Sequence, residues 1–328
     1  MTKEEIKHIG RFTKKFLILL LVLFVCDRVI GTLIEKAYND APEGDVNTFS
    51  HSINNPKEDI YIYGSSRAVH GYDCKVFTDS LGYSCFNNGR ENSTILYHNT
   101  ILNEMLKKHE PQIVILDVSA KELTWRSAEN SKLVLASMIL PYVRRDTNFR
   151  NIAKELFPEE LRKAEVSKTY AYNSLILPLL LGPEKADKSN IVNGYLPLHG
   201  VKEEGTPPEL MDENDKTDVM ATQDFENFVK VLTEKHIKLY VTQSPLYVKP
   251  FTTSVSLEAM KAILKKYNVP FWDYAFDTAF YKRQYFYDNI HLNDKGAKLF
   301  SARIASDIKK DLEKDKALPV QQKSLANR

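Results

Sequence analysis

A serine and an acid–histidine pair are the residues of this chain whose types and spacing suggest covalent catalysis. The segment YIYGSSRAVHGYD (61–73) places Ser66 directly after a run of β-forming residues. Far downstream, YDNIHLND (287–294) holds Asp288 and His291 within one turn of chain. A serine becomes nucleophilic when a base removes its proton and an acid orients that base. The three side chains therefore predict acyl transfer through Ser66, with His291 as base and Asp288 as orienting acid.

Two neighbours of Ser66 compete for these roles. Ser65 is an alternative nucleophile, although a hydrogen bond from its side chain to the local backbone is the simpler expectation. His70 is close to Ser66 in sequence and is an alternative base. We expect His70 to lie on the loop after the first strand and to have a structural role.

The surrounding elements place Ser66 where a parallel sheet binds its ligands. Strand-like segments at 59–64, 83–88, 111–118, 237–243 and 269–274 alternate with helical patterns. This alternation predicts a three-layer α/β/α sandwich with a mostly parallel, flavodoxin-like sheet. In such sheets ligands bind at the carboxyl ends of the strands. Ser66 follows the first strand, and the last helix begins around Asp294, just after His291.

The rest of the chain divides by composition into four further segments. Residues 1–38 predict a cytoplasmic tip and a membrane anchor, and residues 39–58 read as a polar linker. The sandwich is expected over 59–315, interrupted by an insertion at about 126–215 that would form a lid or a partner surface. A flexible tail is predicted at 316–328.

The N-terminal segment has the charge pattern of a membrane anchor. Five basic residues precede the apolar run FLILLLVLFV (16–25), which is shorter than the ~20 residues that span a bilayer. Continuing the span through Ile34 gives enough length but includes Asp27 and Arg28, which would snorkel or pair near the outer interface. Basic residues before the span predict a cytoplasmic N-terminus and a periplasmic or extracellular remainder.

Two other interpretations of this segment are weaker. A cleaved signal peptide requires a small-x-small site, and none follows the apolar run. A lipoprotein attached through Cys26 is disfavoured by the bulky Phe24 and Val25 before it. We therefore expect an uncleaved, single-pass anchor.

Composition excludes several other classes of function. The chain has 328 residues and a net charge of +2, which does not indicate a nucleic-acid partner. It contains neither a C-x-x-C pair nor a close histidine cluster, so we predict no metal site and no organic cofactor. Cys74 and Cys85 would form a disulfide in an extracytoplasmic domain, or else remain two buried thiols. The sequence leaves both readings open.

The order of these motifs resembles the SGNH/GDSL hydrolase superfamily over about residues 59–118 and 237–312. In that family a Gly-Asp-Ser block supplies the nucleophile, and Gly-Ser-Ser here matches it with Ser66 in the serine position. The family's Asp-x-x-His block, just before the last helix, matches Asp288 and His291. The resemblance implies a serine esterase or acyltransferase on an α/β/α fold.

The family's oxyanion-binding blocks match less completely. FNNGREN (86–92) matches the second block, which implies that the Gly89 N–H donates to an oxyanion. The third block should be Gly-x-Asn-Asp, but this chain reads DVSAKEL (117–123) and lacks that asparagine. Asn92 is a candidate replacement donor, or else part of a helix N-cap region with Ser93.

Further polar residues have both a binding and a structural interpretation. Arg67 would bind an anionic or sugar group, or else be an exposed, solvated side chain. Asp117 and Glu122 would line the pocket, or else be capping and solvated residues.

The anchor, the Gly-Ser-Ser variant and the missing third block together resemble the cell-envelope acylation branch of this superfamily, which includes D-alanylation and alginate-acetylation proteins. That resemblance implies acyl esters of envelope glycans, in particular acetyl esters, as substrates. It also implies a multispanning membrane acyltransferase as partner. The alternative is a catalytically silent anchored protein that binds glycan or acts as a scaffold in an export or acylation complex.

Overall fold

The computed structural model describes residues 2–40, 45–176, 193–202, 206–209 and 215–326. They form two compact units. The smaller unit comprises Met1–Pro42 and Leu135–Ala186, and the larger comprises Glu43–Val134 and Asp187–Arg328.

The described elements alternate between strands and helices through most of the chain. The strands are β1 (Ile60–Gly64), β2 (Cys85–Asn87), β3 (Ile113–Asp117), β4 (Lys238–Gln243) and β5 (Phe271–Asp273). The helices are α1 (Lys3–Asn39), α2 (Asp45–Asn54), α3 (Ser66–Gly71), α4 (Cys74–Leu81), α5 (Ile95–Met105), α6 (Trp125–Ile139), α7 (Thr147–Leu156), α8 (Pro158–Val166), α9 (Val219–Glu234), α10 (Val255–Lys266) and α11 (Asp294–Ala326). Short 3₁₀ turns lie at Leu140–Tyr142, Tyr170–Tyr172 and Arg283–Tyr285.

The larger unit is built on a five-stranded sheet in the order β2-β1-β3-β4-β5, and every neighbouring pair of strands is parallel. Gly64 pairs with Asp117, and Asp117 pairs with Thr242, so β1, β3 and β4 end at the same edge. The predicted parallel α/β fold is confirmed, in the flavodoxin-like strand order.

Both faces of the sheet are covered, which explains why the strands read as continuous apolar runs. On one face Ile60 and Ile62 belong to a core that includes Phe300 and Ile304 of α11. On the other face the Tyr63 ring meets that of Phe228 on α9, with centroids 5.6 Å apart. Alternate residues of β1 therefore pack against opposite helical layers.

Two predicted segment boundaries differ from the structure. Within the predicted linker 39–58, α2 forms and buries Phe49 and Ile53. The otherwise polar α2 contains these two apolar residues one turn apart, on the same face of the helix. The Phe49 ring packs toward α5, where its centroid lies 6.5 Å from that of Tyr97. At the other terminus α11 extends to Ala326, so most of the tail from residue 316 is helical. The flexibility of that tail stays a prediction.

In the smaller unit, α1 has 37 residues and is the one helix among those described that qualifies by length and composition as a membrane span. It is therefore a candidate anchor. Asp27 and Arg28 were expected to snorkel or pair, and they do lie within ion-pair distance, with Arg28 Nε 3.5 Å from Asp27 Oδ2. Both also bind other protein groups. The Asp27 carboxylate accepts hydrogen bonds from the N–H groups of Lys168 at 2.8 Å and Thr169 at 3.1 Å. Arg28 donates to the carbonyl of Val166.

Part of the predicted insertion thus packs on α1 within the smaller unit. The Tyr38 ring meets the rings of Tyr142 and Tyr172 edge to face, at 5.9 Å and 5.5 Å. At Gly31 a Cβ atom would lie 2.7 Å from the Lys168 side chain, so a larger residue there would push the two segments apart.

Cys74 and Cys85 form a disulfide, with Cα atoms 5.2 Å apart. The bond joins the first residue of α4 to the first residue of β2. The third cysteine, Cys26, is free and exposed. The disulfide therefore ties a surface helix to the edge strand of the sheet.

Removing this bond is expected to lower the free energy of unfolding by roughly 2–4 kcal/mol, because it closes a short loop in the unfolded chain. Urea unfolding of the Cys74→Ala/Cys85→Ala variant, compared with the oxidised wild type, measures the loss. A reducing agent should weaken the wild type and leave this variant unchanged. Thiol titration of unfolded, unreduced protein should find Cys26 alone, and a titration that also detects Cys74 and Cys85 would contradict the bond.

Candidate active site

Ser66 lies at the turn where β1 passes into α3. Ser65 is extended and is the N-cap residue of the helix, and its carbonyl accepts the N–H of Ala68 at 2.9 Å. Gly64 has a φ of 144°, and a Cβ atom there would lie 2.7 Å from the Asp117 carbonyl oxygen. Only glycine fits this turn. Ser66 opens α3, so its N–H has no acceptor within the helix.

The three predicted catalytic side chains meet in one hydrogen-bonded chain. The Ser66 Oγ lies 2.7 Å from His291 Nε2, and His291 Nδ1 lies 2.8 Å from Asp288 Oδ2. The side chains of Asp288 and His291 are 18% and 17% exposed, so solvent reaches the site. The arrangement matches that of a serine nucleophile with its base and orienting acid.

Asp288 is held as a carboxylate. Burial acts to raise the pKa of Asp288, but hydrogen bonds from the His291 ring and from the N–H groups of Ile290 and His291 lower it to about 2. An ionised Asp288 can only accept at His291 Nδ1, so that nitrogen carries a proton. In the neutral imidazole Nε2 then faces the serine hydroxyl with a lone pair.

Two residues that the sequence analysis missed hold the loop carrying Asp288 and His291. The Arg283 guanidinium donates to the carbonyls of Phe286 at 3.2 Å and Asp288 at 3.1 Å. The Asn293 side chain donates to the carbonyl of Gln284 at 3.0 Å. Both act on backbone carbonyls, so no sequence spacing reveals them.

Gly89 lies against α3, but its amide is already bonded. The Gly89 N–H donates to Asn87 Oδ1 at 3.0 Å, and a Cβ on Gly89 would lie 2.9 Å from the Val69 nitrogen. The Asn87 side chain also donates to the carbonyls of Ala68 at 2.7 Å and Tyr72 at 2.9 Å. Asn87, another residue missed by sequence, therefore clamps this turn to α3. The oxyanion role of Gly89 stays a prediction.

Asn92 is exposed and adopts a left-handed backbone with a φ of 57°. The N-cap of α5 is Thr94, so the suggested capping region at Asn92 and Ser93 is displaced by one residue or more. The role of Asn92 as an oxyanion donor stays a prediction.

Three residues with two alternative interpretations are buried: Arg67, Asp117 at the end of β3, and Glu122. The alternative of solvated side chains is therefore wrong. The Arg67 Nη2 lies 3.3 Å from Asp117 Oδ2, and the guanidinium also donates to the Val118 carbonyl. Asp117 accepts from Tyr72 Oη at 2.9 Å and from the Ser244 N–H at 2.8 Å. The structure thus gives Arg67 a place in a buried hydrogen-bonded network, and its binding of substrate stays a prediction.

Burial also changes the acidity of the carboxyl groups of Asp117 and Glu122. It raises the pKa of Asp117, and the charge of Arg67 opposes that rise. It raises the pKa of Glu122 to about 7, against a hydrogen bond from the Ser119 N–H. Neither residue caps a solvated loop. The buried network stands where the family resemblance places the third block.

His70 is not the base of Ser66 in this structure. It belongs to α3, where a loop was expected, and its side chain is 6% exposed. Its Nδ1 lies 2.7 Å from the Leu196 carbonyl oxygen and its Nε2 lies 3.0 Å from Glu91 Oε1. Its ring meets the His291 ring at nearly a right angle, with centroids 5.5 Å apart.

Residues 193–202, which we call the strap, come from the predicted insertion and bind three parts of the site. The Asn193 carbonyl accepts the Asn87 N–H at 2.8 Å, and the Leu196 N–H donates to Val69 at 3.0 Å. Farther along, the Leu198 carbonyl accepts the N–H of Asp294 at 2.7 Å. The strap therefore joins β2, α3 and the start of α11.

The two glycines of the strap were its only sequence signal. Gly194 and Gly200 have φ values of 81° and 82°, and a Cβ on Gly194 would lie 1.9 Å from the Asn87 carbonyl oxygen.

Among the described residues, no three His, Cys, Asp or Glu side chains come together as metal ligands.

Comparison with known proteins finds similar folds among solved structures only. No family model matches the chain, and no curated protein matches it. An acetyl xylan esterase is 11% identical with a TM-score of 0.39, over 76% of this chain and 99% of its own. A proposed acylhydrolase from Bacteroides fragilis is 13% identical with a TM-score of 0.36, over 80% and 95%. These scores are too low to assign a family, so function is argued below from the geometry of the site.

Proposed function

We propose that this protein is a membrane-anchored serine esterase or O-acyltransferase of the SGNH type. The single observation that carries the proposal is the hydrogen-bonded chain from Ser66 through His291 to Asp288 at the carboxyl edge of a parallel sheet. Ligands bind at this edge in open α/β sheets.

The mechanism follows from the proton positions. The Ser66 Oγ attacks the carbonyl carbon of an acyl ester while His291 Nε2 takes the hydroxyl proton. The tetrahedral intermediate collapses, the leaving alkoxide takes that proton, and the acyl group stays on Ser66. Water or a glycan hydroxyl then gives its proton to His291 and attacks the acyl carbon. The bond between the acyl carbon and the Ser66 Oγ breaks, and His291 returns its proton to that oxygen, so the free enzyme is restored.

Developing charge on the carbonyl oxygen needs donors close to Ser66. We assign the first to the Ser66 N–H, since it opens α3 without an intrahelical acceptor. The second is the Gly89 N–H, which would exchange its bond to Asn87 for one to the oxyanion, or the exposed Asn92.

We further propose acyl esters of cell-envelope glycans, in particular acetyl esters, as substrates, with a multispanning membrane acyltransferase as partner. Support comes from the candidate span in α1 and from the motif resemblance to envelope acylation proteins. The proposed location is a periplasmic or extracellular catalytic unit on a single-pass anchor with its N-terminus in the cytoplasm.

A fluorophosphonate probe tests the proposed chemistry in the detergent-solubilised full chain. Covalent labelling at Ser66, located by mass spectrometry, is expected together with hydrolysis of p-nitrophenyl acetate. A wild-type protein that neither labels nor hydrolyses the ester would refute the enzymatic proposal.

The second candidate function is an anchored glycan-binding or scaffold protein without catalysis. Two observations favour it: the segment after β3 contains no asparagine donor, and the Gly89 N–H is bonded to Asn87. Binding of acetylated glycan by an unreactive wild type would establish this alternative.

Membrane topology is tested separately. Alkaline phosphatase fused after residue 328 is expected to be active, because the basic cluster before α1 keeps the N-terminus in the cytoplasm. Green fluorescent protein fused at the same point should stay dark if the chain is exported unfolded. A fluorescent fusion with an inactive phosphatase would reverse the proposed location.

A further inference from the structure

His70 connects three parts of the molecule that the proposed reaction needs. It lies on α3 with Ser66, it bonds to Leu196 on the strap, and it bonds to Glu91 on the turn after β2. Its ring also contacts His291 at a centroid distance of 5.5 Å and an interplanar angle of 88°. Among the described residues, none of the side chains of Ser66, His291 and Asp288 bonds to the strap or to the turn after β2.

Both ring nitrogens of His70 have a partner in the structure. Nδ1 lies 2.7 Å from the Leu196 carbonyl oxygen, and Nε2 lies 3.0 Å from Glu91 Oε1. The two contacts hold the ring from both sides. The hydrogen bond from His70 lowers the pKa of Glu91, although burial opposes this change. The charges of His70, Arg90 and His291 also lower it.

The pair restrains the turn that carries the candidate oxyanion donor. Glu91 is flanked by Arg90, whose N–H donates to the Gly64 carbonyl at 2.9 Å, and by Asn92. One side of this turn is thus fixed to the end of β1 and the other to α3. Any shift of Glu91 would move Asn92 relative to Ser66.

Stability alone does not account for the pair. Glu91 is half-exposed, and an ion pair with an exposed partner contributes little net stability. The contact of the bonded His70 ring with the base, however, limits the orientations of the His291 ring, and correct orientation has a large effect on reaction rate.

We propose that His70 and Glu91 are positioning residues that hold the His291 ring and the turn at 90–92 in the geometry for acyl transfer. The inference rests on the proposed function, since it assigns these residues a role in that reaction. Neither residue touches the reacting atoms.

The test compares Glu91→Gln, Glu91→Ala and His70→Gln with Glu110→Gln in the detergent-solubilised full chain. Glu110 is a matched control, because its carboxylate also forms an ion pair, with Lys235 at 2.5 Å, but lies just before β3 at the opposite edge of the sheet. Glu91 is 47% exposed, so its variants should fold.

Positioning predicts that kcat for p-nitrophenyl acetate falls by about ten- to a hundredfold in Glu91→Ala and His70→Gln. KM and the melting temperature should stay close to those of the wild type. Glu91→Gln keeps an oxygen acceptor for His70, so its loss should be smaller. Equal kcat values in the Glu91 variants and Glu110→Gln would overturn the inference and leave the proposed function intact.

A spectroscopic readout separates the two failures. In protein with ¹⁵N-labelled histidine, the His291 ring resonances should shift in Glu91→Gln and not in Glu110→Gln. This measurement does not depend on turnover. If the wild type is unreactive the proposed function fails, and unchanged His291 resonances in Glu91→Gln would then overturn the positioning inference as well.

Discussion

Replacing Ser66 with alanine is expected to lower kcat for ester hydrolysis by at least about 10⁴-fold, as loss of the nucleophile does in serine proteases. Without the hydroxyl there is no acyl-enzyme, and only water activated by His291 remains. Labelling by a fluorophosphonate should disappear entirely, because the probe needs the serine oxygen. Hydrolysis rates and labelling yields of the full chain measure both effects.

Ser65→Ala is the matched control for this experiment. Ser65 is adjacent, and its side chain makes no capping hydrogen bond to α3, so its removal should leave hydrolysis and labelling nearly unchanged. The melting temperatures of both variants should stay within a few degrees of the wild type. Retained turnover in Ser66→Ala, or its loss in Ser65→Ala alone, would move the nucleophile away from Ser66.

Asp288→Asn is expected to lower kcat on the order of 10⁴-fold, the loss seen when the acid of a serine protease triad becomes an amide. An asparagine oxygen can still accept the N–H groups of Ile290 and His291, so the loop should keep its conformation. Its amide group, however, can donate to His291 Nδ1 and favour the tautomer with the proton on Nε2. That tautomer cannot accept the Ser66 proton.

The pH dependence of Asp288 gives this variant a second readout. The folded pKa of about 2 lies below the usual value, so the carboxylate stabilises the folded state above about pH 4. That contribution is lost as the pH falls toward 2. The wild type should lose stability more steeply than Asp288→Asn in this window, whereas at neutral pH Asp288 remains ionised. Comparable kcat values for the two proteins at pH 7 would remove Asp288 from the mechanism.

His291→Ala provides an independent comparison for the base. The decrease in kcat for this variant should approach that of Ser66→Ala, because the two residues act as a unit and their effects are not additive. A Ser66→Ala/His291→Ala double variant should therefore be no slower than either single variant.

The sequence by itself determined the fold class and the three side chains of the candidate site. Strand periodicity is local, so the apolar runs ending at Gly64 and Asp117 identified buried parallel strands without knowledge of their partners. The position of Ser66 at a strand end and the Asp288-x-x-His291 spacing are also local. Each can be recognised within about ten residues of chain.

Only the tertiary structure decided what surrounds those side chains. Arg67 reads as a solvated residue until β3 places Asp117 beside it, and His70 reads as a loop residue until the strap and Glu91 supply its two acceptors. The sequence likewise did not decide whether Cys74 and Cys85 pair, and the packing of α4 beside β2 brings them together. These contacts depend on where separate segments of chain pack in three dimensions, and many of their partners are backbone carbonyls, which every residue type carries and which therefore leave no mark in a sequence.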